Sequence, residues 1–125
     1  MRYLYILLLV FSFAAIMIFF TSENELFGWV SYEKGVEESK KTGKEMLIFI
    51  SAPYCPKCRE FKDFFRKNKE FYDEMASRYI LVYIPNPSAS PIFVESVPKF
   101  CIGYEGNLSC FYVNSVEKLI EILRR

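Results

Sequence analysis

Apolar and polar positions divide the chain into two regimes. From Tyr3 to Phe20, YLYILLLVFSFAAIMIFF, 18 consecutive residues carry neither charge nor proline, close to the roughly 20 a helix needs to cross a bilayer. Arg2 precedes this run, and Glu23 and Glu25 follow it. That asymmetry keeps the amino terminus in the cytoplasm and exports the rest. A signal peptide cut after Ala14 would satisfy the small-residue rule through Ser12 and Ala14, but it would leave IMIFF as an apolar new terminus. The expectation is therefore an uncleaved, single-pass signal-anchor over residues 1–22, a linker over 23–28, and a domain over 29–125. Either route places that domain on the extracytoplasmic, periplasmic side of the cell membrane.

Beyond the linker the pattern changes to short elements. Ser31 is placed to cap a helix through about Lys41, with Glu33 in its first turn, Lys40 and Lys41 in its last, and Gly43 beyond its end. EMLIFIS, residues 45–51, has the size and composition of a strand buried on both faces. Ala52-Pro53-Tyr54 stops it, and Cys55-Pro56 opens a helix whose Phe61, Phe64 and Phe65 share one face. Asn68 restarts a helix lined by Phe71, Met75 and Tyr79, and YILVYI, residues 79–84, predicts a second buried strand. PNPSASP, residues 85–91, must be loop, and a single turn is expected over Phe93–Val97. KFCIGY and LSCFYV flank Glu105-Gly106-Asn107, a hairpin signal. Asn114 and Glu117 form a capping-box pattern before a last helix striped by Val116, Leu119, Ile120 and Leu123. Helix, strand, helix, strand, loop, hairpin, helix is an α/β order.

Charge removes some functions. The chain has 16 basic and 15 acidic residues. Discounting Arg2 with the first 22 leaves 15 against 15, which offers nothing to nucleic acid. There is no histidine, so chemistry that needs an imidazole base or ligand is excluded. The 13 Phe and 9 Tyr supply apolar area for a core in the remaining hundred or so residues.

The candidate chemistry lies in four cysteines. An exported chain with an even number of them suggests two disulfides or dithiols. Cys55-Pro-Lys-Cys58 stands where a buried strand runs into a helix. At a helix N-terminus, unpaired N–H groups and a partial charge of roughly +0.5 favour an anion. Thiols so placed have pKa values lowered from about 8.5 to roughly 3.5–7.5. Lys57 and Arg59 add positive charge. Cys55 is then the nucleophile and Cys58, one turn into the helix, the resolving thiol. An inert disulfide, two reduced core cysteines and a zinc site are the competing readings. A four-sulfur zinc site normally uses two close pairs, and Cys101-x8-Cys110 is not one. No metal and no cofactor are expected.

With KKTGKEMLIFISAPYCPKC and ESVPKF in view, residues 29–125 resemble the thioredoxin-like superfamily, in particular its short membrane-tethered domains of thiol:disulfide interchange type. The resemblance implies a central mixed β-sheet flanked by helices, preceded here by the transmembrane helix, with catalytic Cys55 and Cys58. It also implies a cis bond at Val97-Pro98, where Val97 backbone groups would pair with an extended substrate peptide, making Tyr54, Val97 and Pro98 substrate-binding. Three positions depart from the family pattern. Tyr54 replaces the usual tryptophan before the first cysteine, and Phe49 stands where many thioredoxins carry a buried acid. Lys99 follows the proline in place of threonine, and with Lys57 and Arg59 it would form a cationic rim that tunes Cys55.

A two-residue turn at Glu105-Gly106 sets Cys101 opposite Cys110 on a non-hydrogen-bonded pair, where side chains approach most closely. A staple, free thiols and a second redox pair that relays electrons all fit that placement. The whole predicts a tethered thiol–disulfide oxidoreductase acting on cysteine pairs of exported proteins, apocytochromes among them. The rim charges favour the thiolate and hence an oxidant. The likeness to short tethered domains favours a reductase supplied by a membrane electron donor, which is the expectation adopted. The alternative is a non-catalytic binding module that uses the Val97-Pro98 groove to hold a protein partner or copper.

Overall fold

The computed structural model describes residues 2–12 and 26–125 in full and the backbone of residues 13–21. Helix α1 spans Arg2–Thr21, and its side chains through Ser12 are exposed. Among the described residues no helix is long and apolar enough to cross a membrane. The span expected over 3–20 lies, from residue 13 onward, outside the described side chains, as does the linker up to residue 25. Leu26, inside the expected linker, is buried in the core of the domain.

Helix α2 runs Tyr32–Thr42, capped by Ser31, whose hydroxyl accepts from the Lys34 N–H at 3.3 Å, and closed by left-handed Gly43. Its apolar face is thin because it packs partly through backbone: a Cβ on Gly35 would collide with the Val82 side chain, so only glycine permits this approach. Strand β1, Met46–Ile50, is buried at every position. Helices α3, Pro56–Lys67, and α4, Lys69–Arg78, follow it. They supply the crossover that a parallel partner requires, and β2, Ile80–Ile84, pairs parallel with β1 in the register Met46↔Ile80 to Ile50↔Ile84. Strands β3, Lys99–Tyr104, and β4, Asn107–Tyr112, form the hairpin, with Tyr104 opposite Asn107. Helix α5 spans Val116–Leu123. The sheet order is β2-β1-β3-β4, with β3 antiparallel to both its neighbours. This is the mixed sheet flanked by helices that the resemblance implies.

Alternation along β1 divides the interior. Leu47 and Phe49 join Phe61, Phe65, Phe71, Met75, Phe100 and Leu119 beneath α3, α4 and α5. Met46, Ile48 and Ile50 join Val36, Val82 and Cys101 on the α2 side. A strand apolar on both faces therefore sits at the centre of the sheet.

Two local expectations are corrected. Residues 93–97 make bends and no helical turn. The chain is held there by the Lys99 ammonium, which donates to the Phe93 carbonyl at 2.6 Å, and by Ser90, whose hydroxyl both donates to the Ile92 carbonyl and accepts from its N–H. The cap of α5 is Ser115, accepting from the Lys118 N–H at 3.2 Å, and not Asn114. Gly103 has φ +140° within β3, and a Cβ there would run into the Asn107 carbonyl oxygen. Gly103→Ala is expected to lower unfolding free energy by about 1–3 kcal/mol, read as a lower urea midpoint at unchanged m-value.

Candidate active site

The site begins where β1 runs out. The Ser51 N–H continues the parallel ladder by donating to the Ile84 carbonyl at 2.8 Å. Pro53 and Tyr54 then turn the chain, and Tyr54 takes φ +61°, a left-handed conformation uncommon outside glycine. Its ring is 95% exposed. This strained, solvent-facing residue immediately precedes Cys55, and backbone strain of this kind is commonly kept at functional sites.

Cys55 is the N-cap of α3, with extended backbone at φ −97° and ψ 108°, and Pro56 fills the first helical position. The Cys55 sulfur accepts the Cys58 N–H at 3.1 Å, while the Cys55 carbonyl accepts the Arg59 N–H at 3.1 Å. The sulfur therefore does for this helix what a serine or aspartate oxygen does for others. It lies where the helix dipole favours negative charge.

Cys55 and Cys58 form a disulfide, with Cα atoms 5.2 Å apart. The two sulfurs are not equivalent. Cys58 is wholly buried against the aromatic core, while Cys55 is only partly covered. A thiol from outside meets Cys55 first. The geometry thus separates an attackable sulfur from a sheltered one, as nucleophile and resolving thiol require.

The remaining predicted residues divide. Val97-Pro98 is cis. Val97 and Cys55 pack against the same cluster that holds Cys58, Phe61 and Phe100, and Pro98 is buried. Lys57 and Arg59 are exposed on the first turn of α3, with the Lys57 ammonium 3.6 Å from the Glu60 carboxylate. Lys99 is not part of an exposed rim. It is buried on the α2 side of the sheet with Cys101, its charge held by the Phe93 carbonyl and lying 5.6 Å from the centre of the Tyr112 ring. Alternation explains the difference, since Phe100 and not Lys99 faces Cys58.

Cys101 and Cys110 face each other across β3 and β4 and form a second disulfide, with Cα atoms 4.0 Å apart. Cys101 is buried and Cys110 exposed. Because Cys101 belongs to the α2-side cluster and Cys58 to the opposite one, the sheet stands between the two pairs. The relay of electrons from one pair to the other is thereby overturned as an exchange within one molecule, and the second pair staples the hairpin. The same separation keeps the four sulfurs from forming one zinc site. Among the described residues no group of three or more potential ligands could hold a metal ion.

One residue escaped the sequence reading. Ser51 is completely buried, and its hydroxyl is the one buried side-chain polar atom, among the described residues, without a hydrogen-bond partner. The signal was available: Ser51 follows directly on a strand buried at every position, and its N–H still pairs with the Ile84 carbonyl, so the chain carries it inside with the strand.

Comparison with known proteins agrees with this geometry. A family model described as thioredoxin-like matches residues 28–102. An uncharacterized protein of Archaeoglobus fulgidus is 36% identical over 127 residues, covering 100% of both chains. Among solved structures, a thioredoxin from Thermus thermophilus superposes with TM-score 0.62 at 13% identity, covering 80% of this chain and 86% of that one. The germline-specific thioredoxin Deadhead from Drosophila melanogaster gives 0.59 at 18% identity, covering 74% and 89%. At these identities the superpositions speak to fold.

Proposed function

The chain belongs to the thioredoxin-like family, and from that premise we propose that it is a thiol–disulfide oxidoreductase whose redox centre is Cys55 and Cys58. The observation that carries this is the Cys55 sulfur capping α3, with Cys58 buried one turn behind it.

The exchange runs in two steps. In the reductive direction the Cys55 thiolate attacks one sulfur of a substrate disulfide, forming a mixed disulfide and releasing the other substrate sulfur as thiolate. Cys58 then gives up its proton to solvent, and its thiolate attacks the Cys55 sulfur. The mixed bond breaks, the Cys55–Cys58 disulfide forms, and the second substrate thiolate leaves. Two electrons pass from the dithiol to the substrate, and a further reductant must restore the dithiol. Exposed Tyr54 and the backbone of Val97 are the groups that would hold a substrate peptide in extended form beside Cys55.

The setting belongs to the same proposal. Residues 3–20 tether the domain to the cell membrane, with Arg2 inside and Glu23 and Glu25 outside. The extracytoplasmic domain acts reductively on cysteine pairs of exported proteins, apocytochromes among them, and is recharged by a membrane electron donor. The Cys101–Cys110 staple supports an oxidising compartment.

Alkylation tests the chemistry. Lowering a thiol pKa by about two units raises its thiolate fraction at pH 6 by roughly 75-fold and lowers its intrinsic nucleophilicity by roughly eightfold. Reduced Cys55 is therefore expected to react with iodoacetamide at pH 6 about tenfold faster than glutathione. A rate no greater than that of glutathione would end the proposal.

A further inference from the structure

We infer that the face of the domain around Phe27 seats on the membrane, its ring entering the bilayer interface while Arg66 and Lys69 meet anionic lipid phosphates. The inference rests on the tether proposed above and adds how the tethered domain is oriented.

The chain turns sharply at Phe27-Gly28, where the Trp29 N–H donates to the Leu26 carbonyl at 3.1 Å. Both ends of that turn are held down. Leu26 is buried in the core, and the Trp29 ring packs on Phe65 at 5.0 Å and on Phe49 at 6.4 Å, centre to centre. Gly28 has φ +84° and approaches Tyr72 so closely that a Cβ would collide with the phenol hydroxyl. Phe27 is left at the corner, 92% exposed. A lone exposed apolar residue is ordinary, but this one borders a cavity of about 310 Å³, which it lines with Trp29, Phe65, Tyr72, Arg66 and Lys69.

The walls of that cavity are aromatic. Its cations are Arg66, in the last turn of α3, and Lys69, at the start of α4, and among the described residues neither is ion-paired. Tryptophan and tyrosine favour the headgroup level of a bilayer, where one end of the ring is apolar and the other wet. Cations beside them are attracted to anionic lipid within a screening length.

Chain length says what covers this face. Helix α1 ends at Thr21, six residues before Phe27, and six residues reach at most ~20 Å. With α1 in the bilayer, the Phe27 turn is confined to that distance from the surface. The apolar side chains of α1 from Tyr3 to Phe11 are exposed, so they do not fill the cavity themselves. Arg66 stands eleven residues along α3 from Cys55, about 16 Å at the helical rise. Seating the C-terminal end of α3 on lipid therefore holds Cys55, at its other end, clear of the membrane and open to exported substrates.

Trp29 is the only tryptophan in the chain and lines this cavity, so its emission reports the contact. The full-length protein is reconstituted into vesicles of phosphatidylcholine and phosphatidylglycerol, with or without a lipid that carries a nitroxide near the headgroup. The nitroxide lipid is expected to quench Trp29 about twofold, because aromatic rings seated at the interface lie at headgroup depth. Phe27→Ser should abolish the quenching. Arg66→Gln combined with Lys69→Gln should reduce it at least ~twofold, as should 1 M salt, which shortens the screening length to about 3 Å. The three side chains are exposed, so these variants should keep the wild-type circular dichroism. Absence of quenching in the wild type, or quenching that either variant leaves unchanged, would overturn the inference. Trp29 shielded from aqueous acrylamide in vesicles yet unquenched by the nitroxide lipid would overturn it too, by showing that a protein, such as a second copy, fills the cavity. Release of the wild-type chain from vesicles by alkaline carbonate would instead overturn the tether, leaving the two failures distinct.

Discussion

A Cys58→Ser variant is expected to turn over at most once, accumulating on Cys55 whatever disulfide partner it meets. The reason is the proximity of the two sulfurs. Release of the mixed disulfide relies on a thiol held one helical turn away. Well-oriented intramolecular groups act at effective concentrations of roughly 10⁵ M or more, far above any millimolar external thiol. Removing Cys58 should therefore slow release by at least ~10³-fold. Adducts should appear on non-reducing gels and vanish with dithiothreitol, and mass spectrometry should place them on Cys55. Their identity would name the substrates and, by the redox state in which they are captured, the direction of transfer. Cys55→Ser should trap nothing, because the remaining sulfur is buried. Adducts on Cys58 in that variant would reverse the two roles.

Much of this site is legible in local sequence because it is built from local devices. A both-faces-apolar strand, a turn of Pro53 and Tyr54, and a cysteine followed by proline are enough to place Cys55 at a helix start. The hairpin is equally local: two turn residues at Glu105-Gly106 determine every cross-strand pair, Cys101 with Cys110 included. What escaped depends on contacts between distant segments. Lysine at position 99 reads as surface charge, and only a carbonyl delivered by the bends at 93–97 makes its burial tolerable. Those bends have no periodicity of their own to announce them. Ser51 looks like an ordinary strand-ending residue. That its hydroxyl lacks a partner appears only when the neighbours on every side are known.

Phe49→Ala is expected to be the most damaging single truncation in the core, costing about 3–5 kcal/mol of unfolding free energy. The Phe49 ring is fully buried and lies 4.9 Å from Phe100, 5.5 Å from Phe65 and Tyr83, 6.2 Å from Phe61 and 6.4 Å from Trp29, centre to centre. It is the hub through which β1 joins α3, β2 and β3. An alanine leaves a cavity that five aromatic neighbours cannot fill without abandoning their mutual edge and stacking contacts. For a domain of about 100 residues each kcal/mol moves the midpoint by roughly 4–8 °C, so a fall of at least ~12 °C should be seen by circular dichroism. A loss below about 1 kcal/mol would show that the cluster closes around the gap and that Phe49 is not its hub. Cys55 reactivity should survive at temperatures where the variant is folded, because the bonds that hold its sulfur lie within α3 itself. This chain has at position 49 a ring that holds the sheet to its helices, so the truncation is read in stability first and in the chemistry of Cys55 only where the fold is lost.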